Sequence, residues 1–188
     1  KPLGQPGNQF DYSSSVTQAL VFLAEEVTQT PWPELMDAWV WSHTYAEAPL
    51  QVHLAPDGTA AAHGIMSSRL RDLARFGLLY TNDWKVAAKK KIVSDAALRR
   101  IQAAPRGYEF FSKGYTGPVM EGWLGAKPKS NSRQWDAVFE DGAMFKGGLF
   151  GQGLYVSPEN DLVIAFFSKV VKTPLGRFLR PIDAHLAR

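Results

Sequence analysis

Two stretches near opposite ends of the 188-residue chain carry side chains that could do chemistry together. The first is "PGNQFDYSSSVTQAL", where Tyr12 stands between a Pro-Gly turn and three serines. The second is "MFKGGLFGQGLYV", where Lys146 precedes Gly147 and Gly148 on a strand-like run. A hydroxyl nucleophile is weak until a base takes its proton. A phenol serves as that base only as phenolate, and an unperturbed phenol ionises at about pH 10. A neighbouring ammonium favours the phenolate, so a basic tyrosine needs a cation beside it. Lys146 is the candidate cation on this chain. Each residue also has a plainer reading: Tyr12 as a packing residue at a helix entry, Lys146 as a solvated strand lysine.

Other chemistries find less support. His43, His53, His63 and His185 lie far apart without paired-ligand spacing, so no zinc site and no other metal or cofactor is expected. "GLFGQG" is flanked by strand-like sequence and opens no helix, which argues against a phosphate loop. The pairs Asp136/Glu140 and Glu25/Glu26 lack a partner pattern for glycosidase work. With no cysteine in the chain, disulfides and thiolate chemistry are excluded.

The elements that must position these groups can be read from periodicity and punctuation. Ser13, Ser14 and Ser15 offer hydroxyls for an N-cap, and Val16, Leu20, Leu23 and Val27 follow at helical spacing with Ala19 and Ala24 between them. "TPWPELMDAWVW" restarts a helix, with Thr30 as the cap and Pro31 or Pro33 in the first turn. "LAPDGTAAAHG" is a turn around Asp57-Gly58 between short extended segments. "SSRLRDLARFGLLY" predicts a helix marked by Leu70, Leu73, Ala74 and Leu78 and capped by Ser67 or Ser68. "VSDAALRRIQ" predicts another, capped by Ser94 or Asp95. After Gly107 the character changes. "QWDAVF", "GAMFKG", "GQGLYV" and "DLVIAFF" are short β-branched or aromatic runs separated by turns such as "SPEND", the pattern of an antiparallel meander. The tail "TPLGRFLRPIDAHLAR" predicts a final helix against the sheet, with Pro181 as the point where it would break.

The bulk numbers agree with one globular unit. Apolar residues at 45% and charged residues at 21% fall in the ordinary soluble range. A net charge of +3 is too small, and its lysines and arginines too scattered, for a nucleic-acid surface. The run "KVAAKKK" at 85–91 reads as a solvated helix face or loop. No apolar run is long enough to span a membrane.

Four stretches in order, "PGNQFDYSSSVTQAL", "SSRLRDLARFGLLY", "FKGGLFGQGLYV" and "SPENDLVIAFFS", resemble the C-terminal half of the serine β-lactamase and D-alanyl-D-alanine peptidase superfamily. The resemblance runs from about Pro6 to Ser168, and its branch is the class C-like group with esterases and 6-aminohexanoate oligomer hydrolases. It implies an α+β fold: an antiparallel β-sheet flanked by helices, with residues 1–188 as the C-terminal portion of a single domain. It also implies acyl-enzyme chemistry on an ester, small amide or β-lactam-like substrate. "YSS" would stand for the Tyr-x-Asn motif, making Tyr12 the general base and placing Ser14 where an asparagine usually contacts a substrate amide. That departure favours an ester or small amide over a β-lactam. "KGG" would stand for Lys-Thr-Gly, with Lys146 beside the base and Gly147 and Gly148 leaving room for a substrate carbonyl. The amide of Leu149 would be half of an oxyanion hole. An alternative alignment sets Leu149 and Phe150 at that third motif, with no ionisable group there.

The family's first motif, Ser-x-x-Lys, is absent: no serine of the chain has a lysine three places on. The nucleophile is therefore expected on an upstream segment, and "KPLGQPG", without an initiator methionine, reads as a boundary inside a longer protein. A cleaved two-chain protein and a degenerate homologue are the other readings. A fragment should carry an exposed apolar face where upstream elements pack. The rival function is a non-catalytic binding or scaffold module that kept the fold. The compartment is not indicated by the sequence.

Overall fold

The structure is a computed structural model and describes residues 5–169 and 174–187. The opening "KPLG" and Thr173, both used in the readings above, lie outside the described residues. Seven helices and a five-stranded antiparallel sheet make up the described part, together with a two-stranded ribbon. The helices are α1 (Ser14–Thr28), α2 (Trp32–Trp39), α3 (Leu70–Leu78), α4 (Asp95–Ala103), α5 (Gly107–Lys113), α6 (Thr116–Leu124) and α7 (Leu179–Leu186). The ribbon pairs β1 (Gln51–Val52) with β2 (Met66–Ser67). The sheet runs β3 (Ser130–Ser132), β4 (Trp135–Val138), β5 (Met144–Gly148), β6 (Gln152–Ser157) and β7 (Leu162–Phe166) in chain order, a pure meander.

Side-chain alternation along the strands builds two cores, one on each face of the sheet. On one face Val138, Met144, Leu154 and Val156 pack with Ile101, Leu98, Leu73 and Phe76 of α3 and α4. On the other, Ala137, Phe145 and Tyr155 pack with Leu124, Trp123 and Leu179 of α6 and α7. The α+β reading is therefore correct, with helices covering both faces. Gly77 lets α3 lie close on the sheet, since a Cβ there would meet Val163 Cγ1 at 2.6 Å.

The local expectations fared unevenly. Ser94 does cap α4, accepting the Ala97 amide at 3.1 Å. The Asp57-Gly58 turn is present, with the Thr59 amide donating to Asp57 Oδ1 at 3.0 Å. Other caps differ. Ser13 is the N-cap residue of α1 but its hydroxyl bonds Ser15 Oγ at 2.7 Å instead of a backbone amide. Pro31, not Thr30, precedes α2, and Arg69, not Ser67 or Ser68, precedes α3. Pro181 does not break the last helix. It stands in the first turn of α7, where its missing N–H removes no helical bond. α5 and α6 were not legible: each is short and opens or is interrupted by glycine, so neither shows a sustained 3.6-residue stripe.

The apolar stripe of α1 is not packed against the rest of the described chain. Val16, Leu20, Leu23 and Val27, the residues whose spacing marked the helix, are all exposed, Val27 at 75%. The opposite, polar side faces the rest of the chain. There Thr17 Oγ1 donates to Gln134 Oε1 at 2.8 Å, Gln18 Nε2 to Ala60 O at 3.0 Å, and Glu25 Oε1 accepts the Trp32 amide at 2.7 Å. Among the α1 residues only Val21 is buried.

Candidate active site

Tyr12 sits on a short extended segment just before α1, and that segment is tied down bond by bond. The Phe10 amide donates to Phe110 O at 3.0 Å, and the Phe10 ring stacks on the fully buried Phe111 at 5.6 Å. Asp11 Oδ1 accepts the Tyr115 amide at 2.9 Å, with Gln9 bonded to the other oxygen. The Tyr12 amide donates to Thr116 Oγ1 at 2.9 Å. Gly114 makes this approach possible, because a Cβ there would stand 2.0 Å from Phe10 O. α5 and the turn into α6 thus clamp the chain at Phe10, Asp11 and Tyr12 and leave Tyr12 45% exposed.

Lys146 reaches the same place from the middle of β5. Its Nζ lies over the Tyr12 ring, 4.9 Å from the centroid, a cation–π geometry. Nζ also donates to Asp136 Oδ1 at 2.7 Å. Asp136 Oδ2 accepts the Gly147 amide at 2.8 Å. The ladder between β4 and β5 pairs Ala137 with Phe145 and Val138 with Met144. One step further, the carboxylate of Asp136 takes over and holds the end of β5.

The remaining sequence-predicted residues fall around this pair. Gly147 pairs with Gly153 and Gly148 with Gln152 across β5 and β6. Leu149 opens a one-turn 3-10 segment, Leu149–Gly151, and is 74% exposed, with its carbonyl accepting Gln152 Nε2 at 3.0 Å. Phe150 beside it is exposed and takes a left-handed backbone, φ 62°. That conformation is uncommon outside glycine and concentrates at functional sites. Ser14 is the first residue of α1 and lines an open groove of about 370 Å³ with Ser15, Gln18, Ala19, Phe22 and His63. His63 Nδ1 lies 3.0 Å from Gln18 Oε1. Tyr12 and Lys146 lie outside that groove's lining.

At Gly147 and Gly148, packing inside the chain makes only a mild demand for glycine. A Cβ at Gly147 would make only tight contacts, 3.4 Å to Asp136 Oδ2, and one at Gly148 would come within 3.1 Å of Gln152 Cβ. The harder steric demand is at Gly153, where a Cβ would stand 2.5 Å from Phe166 Cζ. The sequence reading also passed over Asp136, weighed only as half of a glycosidase pair. An acidic residue inside an otherwise apolar strand, in register with a lysine on the next, was the available signal. Thr116 and Gly114 gave no such signal, because α5 and α6 were not recognised.

Comparison with known proteins bears on what this arrangement belongs to. The family model described as Beta-lactamase matches residues 1–188. The chain belongs to the β-lactamase family. Among curated proteins it is 28% identical over 161 residues to a 6-aminohexanoate-dimer hydrolase of Paenarthrobacter ureafaciens, covering 85% of this chain and 39% of that protein. Among solved structures it superposes on a putative 6-aminohexanoate-dimer hydrolase from Bacillus anthracis with a TM-score of 0.77 and 24% identity, covering 99% of this chain and 46% of that one. That likeness shows the shared fold. The chain of this β-lactamase family member spans less than half the length of either relative. Among its described residues, no helix is long and apolar enough to cross a membrane.

Proposed function

We propose that this β-lactamase family member supplies the base and one wall of a serine hydrolase site whose nucleophile lies outside residues 1–188. The observation that carries the reading is the meeting of Tyr12 and Lys146 from opposite ends of the chain, with Nζ 4.9 Å from the ring centroid. An exposed phenol with a cation over it, beside the glycine-bearing end of β5, is the equipment an acyl-transfer base needs.

In this reading residues 1–188 are the C-terminal portion of one domain. The upstream portion carries Ser-x-x-Lys and packs on the apolar stripe of α1. Four large apolar side chains left in water support that packing, since burying each is worth roughly 1.5–3 kcal/mol. The serine Oγ attacks the substrate carbonyl carbon and its proton passes to Tyr12 Oη. The oxyanion sits between the Leu149 amide and the amide of the nucleophile. Tyr12 returns the proton to the leaving alcohol or amine, giving the acyl-enzyme. Water then adds with Tyr12 again as base, releasing the acid and free serine. The substrate is a small-molecule carboxylic ester or amide. Ser14 in place of an amide side chain disfavours a β-lactam, and the amino-acid dimer for which both relatives are named favours an amide.

The test is covalent labelling of the full-length protein with a fluorophosphonate, followed by peptide mass spectrometry. One adduct is expected, on a serine outside residues 1–188 that has a lysine three places on. An adduct on a serine of this chain, or none on folded full-length protein, would overturn the reading in favour of a different nucleophile or a scaffold.

A further inference from the structure

We propose that Asp136 is a positioning residue for the site: it fixes the ammonium of Lys146 over Tyr12 and holds the strand edge that carries the Leu149 amide. This rests on the roles given above to Tyr12, Lys146 and Leu149.

Asp136 is only 6% exposed, although it is a carboxylate on a strand otherwise lined by Trp135, Ala137 and Val138. A buried carboxylate is tolerated where its oxygens are matched by donors. Here each oxygen has one: Oδ1 takes Lys146 Nζ at 2.7 Å and Oδ2 takes the Gly147 amide at 2.8 Å. The two bonds do different work. A lysine has a flexible four-carbon stem and a strongly hydrated head, so a half-exposed lysine left alone would spread among rotamers in water. Anchoring Nζ to a buried oxygen selects the rotamer that sets it 4.9 Å from the Tyr12 centroid. The second bond acts on the backbone. No residue of β4 beyond Ala137 is paired with β5, so the Gly147 amide would lose its partner on that side without the carboxylate. Gly147 is two residues before Leu149, so the bond steadies the strand end from which the Leu149 amide departs. One side chain thereby couples the base cluster to the oxyanion donor.

A plain ion pair that merely supports the sheet would stabilise the fold without tuning the site. The distinction is measurable in the full-length protein. Asp136→Asn keeps the shape and one acceptor but removes the charge. It is expected to lower kcat on a nitrophenyl ester about tenfold to a hundredfold, the range for loss of a charge-assisted bond, with KM nearly unchanged. In a Lys146→Met background the same change should cost less than about threefold, because the residues act as a unit. Competitive acetylation read by peptide mass spectrometry gives an answer independent of catalysis. Labelling of Lys146, normalised to the exposed Lys85, should rise in Asp136→Asn. Should the amide variant not fold, Asp136→Glu carries the test: lysine protection is retained and kcat still falls, because the longer arm cannot serve both partners. For Asp136→Asn, unchanged Lys146 labelling, a wild-type kcat, or an equal loss of kcat with and without Lys146 would each overturn the inference; for Asp136→Glu, a wild-type kcat would. If Tyr12→Phe and Lys146→Met leave turnover intact, the base assignment itself fails, and the acetylation result still reports whether Asp136 holds the lysine.

Discussion

At the scale of single residues, the site is a matter of how closely two backbones approach. Among the described residues the Tyr12 ring meets a cation, Lys146, while its amide is fixed on Thr116 and the Asp11 carboxylate before it on the Tyr115 amide, across a turn that only a residue without Cβ permits. Gly114→Ala places a methyl 2.0 Å from Phe10 O, so the segment carrying Tyr12 must move away from the turn. Stability should fall by about 1–3 kcal/mol, and ester turnover of the full-length protein by about a hundredfold, the cost of an ångström-scale misplacement. Gly122→Ala in α6 is the control, since nothing lies within 4 Å of its Cβ, and it should be neutral or slightly stabilising. Thermal melts and steady-state rates of the two variants check the contrast. The phenol and the lysine were legible from residue type and order. The glycine, the threonine and the aspartate that hold them were not, because those depend on which loop meets which strand.

At the scale of elements, α1 separates where a helix lies from which of its faces the chain covers. The 3.6-residue stripe of Val16, Leu20, Leu23 and Val27 located the helix correctly, but periodicity identifies an apolar face without saying what covers it. In this chain the polar face is the packed one, through Thr17, Gln18 and Glu25. Leu20→Lys together with Leu23→Lys should leave the melting temperature of the 188-residue chain nearly unchanged and reduce its self-association. In the full-length protein the same pair should cost several kcal/mol, roughly 1.5–3 per buried leucine. Parallel melts and sedimentation of both forms decide this. The strands were easier to read than α5 and α6, because alternating β-branched and aromatic runs between turns survive in short segments, whereas a seven-residue helix starting at Gly107 does not announce itself.

For the molecule as a whole, the sheet is held from both faces, and each face carries a tyrosine enclosed by that packing. Burial pushes the Tyr80 phenol up to about 12, with Trp135 at 5.1 Å and Phe76 at 5.8 Å against its ring. On the other face, burial first and then the bond to Asp183 push the Tyr155 phenol well above the ordinary tyrosine range. Its hydroxyl donates to Asp183 Oδ2 at 2.5 Å and accepts from Arg180 at 2.7 Å, joining β6 to α7. For a phenol whose folded value is raised, the stability it contributes is complete below the unfolded value and is lost as pH rises through the folded one. The fold should therefore be insensitive to these groups at neutral pH and lose stability above about pH 10, the unfolded tyrosine value. Tyr80→Phe should flatten that alkaline loss, which denaturant melts at a series of pH values would show. The fold class and the meander were legible because composition and alternation act over long stretches. The absence of Ser-x-x-Lys was legible too, and it fits a chain that spans 39% of its curated relative.

In the proposed reaction Tyr12 is the base for a serine carried elsewhere in the protein. The most direct measurement is the rate of fluorophosphonate labelling and ester turnover in full-length Tyr12→Phe beside wild type. Both rates should fall by about two orders of magnitude or more, the usual worth of a general base, with the melting temperature nearly unchanged. A Tyr12→Phe protein that labels and turns over ester at the wild-type rate would contradict that role.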